Sequence, residues 1–413
     1  MTKPFLPPAL RHRRYRLLWF GLLISVTGTQ MQSAAILWHV NELTGQPIAL
    51  GGVGLARILP VLAFSLLAGV VADTLNRRHL ILLTQTLLAL LAALLGWLTL
   101  RGLDSVWAIY GITAASAGVA AFDLPARQSL VPNLVPRSDL TNAFSLSSIA
   151  FQTGAVVGPA AGGLVLASLG IAWVYWINAV SFLAVILALV LMGPVEQDLN
   201  RGANGGVSLG AVAEGIRFIR RQPIVLPSML LDFFATFFSS ATALLPIFAK
   251  DILHVGPVGY GWLVSAPSVG AVSAAVVLSS VRQIRKQGRV LLQAVTIFGL
   301  ATVVFGISRN FWLTFGALAL TGASDNVSAI IRNTIRQLQT PDHLRGRMVS
   351  VNQMFFMGGP QLGELEAGLL AQWLGSPFSV VSGGVGCLIA VLWVVRRWPQ
   401  LRRYSGDEAQ VAG

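Results

Sequence analysis

Apolar residues in this chain come in long unbroken runs. They show neither the alternation of a half-buried strand nor the one-sided stripe of a surface helix. The runs fall at about 17–40, 49–72, 79–100, 106–126, 142–168, 171–193, 223–249, 257–281, 289–307, 310–332, 348–373 and 377–398. A helix needs about 20 apolar residues to cross a bilayer, so the pattern predicts an all-α integral membrane protein with twelve transmembrane helices. The first run follows Lys3, Arg11, Arg13, Arg14 and Arg16, but it is longer than the apolar core of a signal peptide and is read as a retained span. The spacers are short. The longest, about 194–222, holds Gly202, Asn204, Gly205 and Gly206, followed by a segment at 209–221 expected to form a short amphipathic helix.

Composition agrees. Of 413 residues 54% are hydrophobic and 11% charged, less than half the roughly 25% charge of a soluble domain. Cys387 is the sole cysteine, which excludes an internal disulfide or a cysteine metal cluster. The formal net charge of +13 would suggest nucleic acid on a soluble protein. Here it reads as topology. With the N-terminus in the cytoplasm and the spans alternating, 25 of the 29 Lys and Arg fall on the inner side; the exceptions are Arg57, Arg101, Lys250 and Arg309. The expectation is a multi-pass protein of the bacterial inner (plasma) membrane with both termini cytoplasmic, no nucleic-acid partner, and a monomeric state in the lipid bilayer.

Shifted by 205 residues, the chain matches itself without gaps over positions 127–170. The identities are Arg127/Arg332, Pro136/Pro341, Ser145/Ser350, Phe151/Phe356, Gly154/Gly359, Gly158/Gly363, Gly163/Gly368, Leu164/Leu369, Leu169/Leu374 and Gly170/Gly375. Repetition at this length indicates duplicated architecture. Equivalent segments share their charge bias, so the repeats are parallel and hold six spans each. Parallel six-helix halves around a substrate site are one plan of secondary transporters. The expected domains are an N-terminal six-helix bundle at 1–193, a cytoplasmic linker at 194–222, a C-terminal six-helix bundle at 223–398 and a cytoplasmic tail at 399–413. The basic N-terminal arm, and Arg217, Arg220 and Arg221 of the linker, are expected either on the anionic inner membrane surface or as simple topology determinants.

Two motifs carry chemistry and a resemblance. Between the second and third spans stands Gly69-Val-Val-Ala-Asp73-Thr-Leu-Asn-Arg77-Arg78. It resembles motif A of the major facilitator superfamily, departing from it at Thr74, where a basic residue is common, and at Asn76, where glycine is. The resemblance implies a cytoplasmic latch: Gly69 for close helix approach, Asp73 to accept hydrogen bonds at a helix N-terminus, Arg77 and Arg78 as anchors. The fifth span holds Gly154-Ala-Val-Val-Gly158-Pro159-Ala-Ala-Gly162-Gly163. This looks like motif C, which in the superfamily marks exporters; a glycine-rich packing helix without bearing on direction is the other reading. Phe122-Asp-Leu-Pro-Ala-Arg127, Pro132-Asn-Leu-Val-Pro136, Leu140-Thr-Asn-Ala143 and Thr340-Pro-Asp-His-Leu-Arg-Gly-Arg347 are similar to the branch holding the enterobactin exporter and macrolide efflux pumps.

That resemblance implies that spans one, four, seven and ten line a central cavity. Ionisable groups inside a membrane are costly and are functional candidates by default. Asp232 stands beside Phe233, Phe234, Phe237 and Phe238 in span seven, and Asp325 and Asn326 stand in span ten. The candidate substrate cavity is Gln30, Trp38, Asp232, Phe233, Phe237, Phe238, Asp325 and Asn326, and the candidate proton-coupling groups are Asp232, Asp325, Glu364 and Glu366. Plainer readings stand beside these: helix–helix hydrogen bonding for the glutamines Gln30 and Gln32 of span one, which Trp38 and His39 make unusually polar and aromatic, helix capping for Asp232, and pairing with the basic cluster of Arg127 and Arg332 for Asp123 and Asp325. Arg57 and Glu364 or Glu366 fall in the outer half of spans two and eleven, which the fold places opposite each other. Arg57–Glu364 is the expected outer gate pair, with a permanent intramembrane pair as the alternative.

Other chemistries find no support. The chain has no Gly-x-x-x-x-Gly-Lys-Ser/Thr loop for ATP and no His-Glu-x-x-His. Span four lacks the arginine that a neighbouring branch carries in motif B, so coupling by that route is in doubt. Neither an enzymatic role nor a cofactor or metal is expected. The resemblance implies secondary active export of a small or medium-sized organic molecule, siderophore- or drug-like, in exchange for protons. An importer or symporter of the same fold, or a non-transporting membrane sensor, are the alternatives.

Overall fold

The computed structural model describes residues 6–196, 217–220, 222–238, 240–280, 284–340 and 345–406; the side chains at 65–66, 69–70, 72–73, 241, 345–347 and 349–357 are outside this description. Among the described residues every regular element is helical. A short α1 (Pro8–Arg11) leads into α2 (Arg13–Thr44), α3 (Pro47–Thr74), α4 (Arg77–Leu100), α5 (Val106–Leu130), α6 (Leu140–Ser168) and α7 (Ile171–Met192). After the linker come α8 (Val225–Phe238), α9 (Gly256–Ser279), α10 (Gln287–Ile307), α11 (Phe311–Gln339), α12 (Arg345–Leu374), α13 (Ser376–Arg397) and a short α14 (Pro399–Arg403). Ten helical segments among the described residues are long and apolar enough to cross a membrane.

The duplication is visible in the helix ends. Adding 205 to the first residue of α5, α6 and α7 gives the first residue of α11, α12 and α13, and adding it to Met192 gives Arg397, where α13 ends. The turns repeat as well. Gly170 between α6 and α7 has φ +90°, and Gly375 between α12 and α13 has φ +89°. Only glycine adopts this backbone without strain. Ser105 caps α5 by accepting from the Ala108 N–H, and its mate Asn310 caps α11 by accepting from the Leu313 N–H.

The described chain divides into two compact units, 1–44 with 56–206, and 45–55 with 207–413. In the first, α2 packs on α6 and α7, and α4 on α5 and α7. Leu18, Ile81, Ala126, Leu130, Val185 and Leu189 form its core. In the second, the equivalent pairs recur: α8 with α12 and α13, α10 with α11 and α13. Its core holds Val225, Leu231, Leu291, Ile331, Ile335 and Val394. The outward faces stay apolar, with Leu94, Leu187, Val277 and Ile389 all exposed. Such faces suit lipid, where helix association depends on close approach and hydrogen bonds rather than on water exclusion.

Two features differ from the sequence expectation. Span seven is not one continuous helix. After Phe238 the chain continues as a 3-10 turn (Ser240–Leu244), a single α turn (Leu245–Ile247) and a π turn (Phe248–Ile252). Pro246 has no N–H for the helical ladder, which accounts for the tightened approach to it. The N-terminal arm is also not merely a surface anchor. Ala9, Leu10 and Tyr15 are buried in the core of the first unit. Ala9 N donates to Asn142 Oδ1 at 3.0 Å, His12 Nε2 pairs with Asp139 Oδ2 at 2.9 Å, and Trp19 Nε1 donates to the Leu146 carbonyl at 2.8 Å. Arg11, Arg13 and Arg14 remain exposed. Of the helix expected at 209–221, residues 217–220 are helical and the rest lies outside the described residues.

Candidate transport site

A buried charge cluster of the second unit centres on Arg332 of α11, which is 4% exposed. Its Nη2 lies 2.8 Å from Asp232 Oδ1 on α8 and 3.5 Å from Asp325 Oδ1 on its own helix. Nη1 donates to Ser328 Oγ one turn back at 2.5 Å. The two carboxylates differ: the Asp232 side chain is 8% exposed and that of Asp325 48%. One buried cation is thus shared between a buried and an accessible anion on different helices.

The repeat mate of Arg332 is arranged otherwise. Arg127 Nε pairs with Asp123 Oδ2 of the same helix at 2.6 Å. Asp123 also accepts from Thr84 Oγ1 at 2.8 Å and Gln85 Nε2 at 3.0 Å, both on α4. This carboxylate is fully engaged and 1% exposed, the saturation that makes a buried charge tolerable.

The other expected cavity residues spread over several roles. Phe233 stacks on Phe237 and Phe234 on Phe238, with ring centroids 5.8 and 6.0 Å apart. All four keep partial exposure. Asn326 Nδ2 donates to the Ala271 carbonyl at 2.6 Å and so ties α11 to α9. Trp38 is 3% exposed and its Nε1 donates to Glu42 Oε1 at 2.7 Å. Gln30 stands where α2 meets α6: a methyl group on Gly158 would come within 2.8 Å of its Cβ.

The motif C glycines form that α2–α6 seam. A methyl on Gly154 would reach Val26 Cγ1 at 2.8 Å, on Gly158 the Thr27 carbonyl at 2.6 Å, and on Gly162 Met31 Cγ at 2.7 Å. Pro159 and Gly163 are buried in the same helix. The second unit repeats the seam, with Gly359 against Thr236 and Phe233 and Gly363 against the Phe237 carbonyl and Ser240. Close packing of the first and fifth helices of each repeat therefore explains these glycines in both halves.

At the motif A segment, Gly69 and the Asp73 side chain lie outside the described residues. Arg77 Nη1 donates to the Ser129 carbonyl at 3.3 Å and to Asn133 Oδ1 at 3.1 Å, and Arg78 Nε donates to the Leu189 carbonyl at 2.9 Å. Both arginines thus join the start of α4 to the ends of α5 and α7. The departure at Asn76 has a structural reason: its side chain caps α4, accepting from the Arg78 and His79 N–H groups. Among the outer gate candidates, Arg57 Nη2 donates to the Ser33 carbonyl at 3.3 Å. Glu364 packs on the first turns of α3 inside the second unit, where a methyl on Gly54 would meet Glu364 Oε2 at 2.7 Å. Glu366 is half-buried on the same helix.

Sequence reasoning placed Asp325 correctly beside Arg332 as one option, but missed that Arg332 also holds Asp232. The signal was present. The 205-residue shift puts Ser328 where Asp123 stands, so Arg332 lacks the own-helix carboxylate at i−4 and must pair elsewhere. It named His39 only as part of a polar, aromatic span one and did not join it to Asp104 and Tyr175, with which it forms a buried trio in the first unit.

A duplicated helical body with apolar outer faces and ion pairs deep in its spans defines a class, the multi-pass membrane transporters. The chain belongs to the major facilitator superfamily: the family model MFS_3, described as transmembrane secretion effector, matches residues 3–409. It is 30% identical over 372 residues to the multidrug efflux pump Tap of Mycolicibacterium fortuitum, covering 87% of this chain and 89% of that one. It is 26% identical over 409 residues to the enterobactin exporter EntS of Shigella boydii serotype 4 (strain Sb227), covering 97% and 95%. Among solved structures, the nucleoside transporter NupG aligns with a TM-score of 0.75 at 12% identity, covering 95% and 99%. A bacterial homologue of the human lysosomal transporter Spinster aligns at 0.70 and 15%, also covering 95% and 99%. At these identities the structures establish the fold alone. The protein is a membrane transporter and not an enzyme.

Proposed function

We propose that this protein is a secondary active exporter of small or medium-sized organic molecules, siderophore- or drug-like, working by alternating access in exchange for protons. One observation carries the reading: buried Arg332 is shared between Asp232 on α8 and Asp325 on α11. In a medium of low dielectric an ion pair is held strongly, and removing the charge of one partner releases the other. A proton delivered to Asp232 frees Arg332 to move wholly to Asp325. Withdrawal of that proton restores the bridge between helices. Asp325, half exposed, is the carboxylate for which a solute with a cationic centre competes with Arg332. Phe233 and Phe237 offer stacked apolar surface beside it.

The outward direction draws its support from the relatives, a multidrug efflux pump and an enterobactin exporter. The glycine motif adds little, since the same seam occurs in both repeats. The bias of Lys and Arg supports both termini in the cytoplasm of a bacterial inner membrane. The reading includes an N-terminal bundle at 1–193, a linker at 194–222, a C-terminal bundle at 223–398 and a tail at 399–413, acting as a monomer. Asp73, Arg77 and Arg78 form the cytoplasmic latch. Arg57 and Glu364 form the outer gate, and their separation changes between states; an equal spin-label distance in both states removes the gating role.

Inverted membrane vesicles test the function, with ethidium and enterobactin as probes. An imposed pH gradient, acid inside, is expected to drive accumulation of at least one probe, and Asp232→Asn to abolish the dependence on the gradient. Accumulation only in right-side-out vesicles would make the protein an importer, and normal gradient-driven accumulation by Asp232→Asn would remove Asp232 from coupling.

A further inference from the structure

The first unit buries a second ionisable group, far from the Arg332 cluster. His39, near the end of α2, is 2% exposed. Both ring nitrogens are engaged: Nε2 lies 2.7 Å from Asp104 Oδ2 in the connection between α4 and α5, and Nδ1 lies 2.9 Å from Tyr175 Oη in the first turns of α7. Exposure is graded, with the Asp104 side chain at 15% and that of His39 at 3%. In the orientation proposed above, this end of the unit is extracytoplasmic. The remaining charged side chains in the terminal turns here face elsewhere: Glu42 accepts from Trp38, and Arg101 lies over the Trp97 ring at 6.0 Å.

We propose that His39, with Asp104 and Tyr175, is the extracytoplasmic binding site for the transported proton. This rests on the reading of proton-driven export. A carboxylate only accepts, so Nε2 carries a hydrogen, and in the neutral ring Nδ1 accepts from the Tyr175 hydroxyl. A proton arriving from water past Asp104 adds to Nδ1. The Nδ1–H then donates to Tyr175 Oη, and the tyrosine hydrogen turns away from the ring. One proton converts a group of net charge −1 into one of net charge zero. Histidine is the side chain whose charge changes between about pH 5 and 8. The reversal of one hydrogen bond is felt where α2 packs on α7. One turn along α7 from Tyr175, Asn178 Nδ2 donates to Gln32 Oε1 of α2 at 2.7 Å and accepts from Ser181 Oγ at 2.9 Å. A histidine serving only as a structural bridge needs no carboxylate in contact with outside water.

The test uses the full-length protein. In inverted vesicles, ethidium accumulation is followed while the lumenal pH, which faces this site, is varied from 5 to 8. The wild type is expected to rise with acidity through a midpoint in this range, and His39→Gln to flatten the profile. Asp104→Asn, which retains shape but removes the partner charge, is expected to displace the midpoint from its wild-type position. His254→Gln, in an exposed connection, is the control without effect. In nanodiscs, nitrogen-15 histidine spectra should show one resonance that titrates in the same range and disappears in His39→Gln. A uniformly scaled but unshifted profile in both variants, or a His39 resonance that does not titrate, overturns the proposal while leaving proton-driven export standing. A wild type indifferent to the gradient overturns the function reading, and this one with it.

Discussion

Arg127 and Arg332 occupy the same place in the two repeats, yet they do different things. Arg127 closes on Asp123 of its own helix, and α4 saturates that carboxylate through Thr84 and Gln85. Arg332 has Ser328 at the corresponding position and reaches across to Asp232 on α8. The repeats share a scaffold and differ at i−4, where aspartate accompanies an intrahelical pair in the first half and serine an interhelical one in the second. Asp123 keeps its arginine on its own helix and has its other oxygen filled from α4. The Asp232–Arg332 pair bridges α8 and α11, so on the proposed reading the Arg332 switch belongs to the second half while the Arg127 pair stays closed.

The comparison can be broken by removing its cations and carboxylates. Arg332→Ala should destabilise most, by about 3–5 kcal/mol, because it leaves Asp232 buried without its partner. The double variant Asp232→Ala, Arg332→Ala should recover much of that in thermal unfolding while staying inactive in gradient-driven transport. Asp123→Asn should cost less, about 1–3 kcal/mol from Arg127 and the α4 donors, and leave transport per folded molecule near wild type. Ser328→Asp sharpens the contrast. It rebuilds the first-half arrangement on α11 at a position 1% exposed, where a carboxylate is tolerated only when paired, and it should cut gradient-driven export by offering Arg332 a partner at i−4 of its own helix. Gly158→Leu and Gly363→Leu should each cost about 1–3 kcal/mol by overpacking equivalent seams, and unequal losses would break the symmetry claimed for them. The smallest effects belong to the helix caps: Ser105→Ala and Asn310→Ala should each lower unfolding free energy by about 1 kcal/mol, measured by denaturant titration in detergent.

Much of this was legible in the sequence because the signals are local or periodic. Apolar runs mark spans through their length alone, and the 205-residue shift anticipated helix ends and the paired turns at Gly170 and Gly375. The pairing of Asp123 with Arg127 follows from i,i+4 spacing. What was not legible depends on which faces meet across the bundle. Asp232 and Arg332 are 100 residues apart, and nothing near either announces the other. His39 is read together with Asp104 and Tyr175 only once three separate segments converge. The uneven run after Phe238 escaped for a different reason, since apolar composition persists through 3-10 and π turns that change only the hydrogen-bond register.

The decisive measurement compares the gradient dependence of ethidium export for Asp232→Asn and Asp123→Asn in inverted vesicles at matched protein levels. Division of labour between the repeats predicts that Asp232→Asn loses the gradient-driven component by about tenfold or more, equivalent to at least ~1.4 kcal/mol of coupling, while Asp123→Asn keeps it within about twofold. Equal losses in the two variants, or a larger loss in Asp123→Asn, would contradict it.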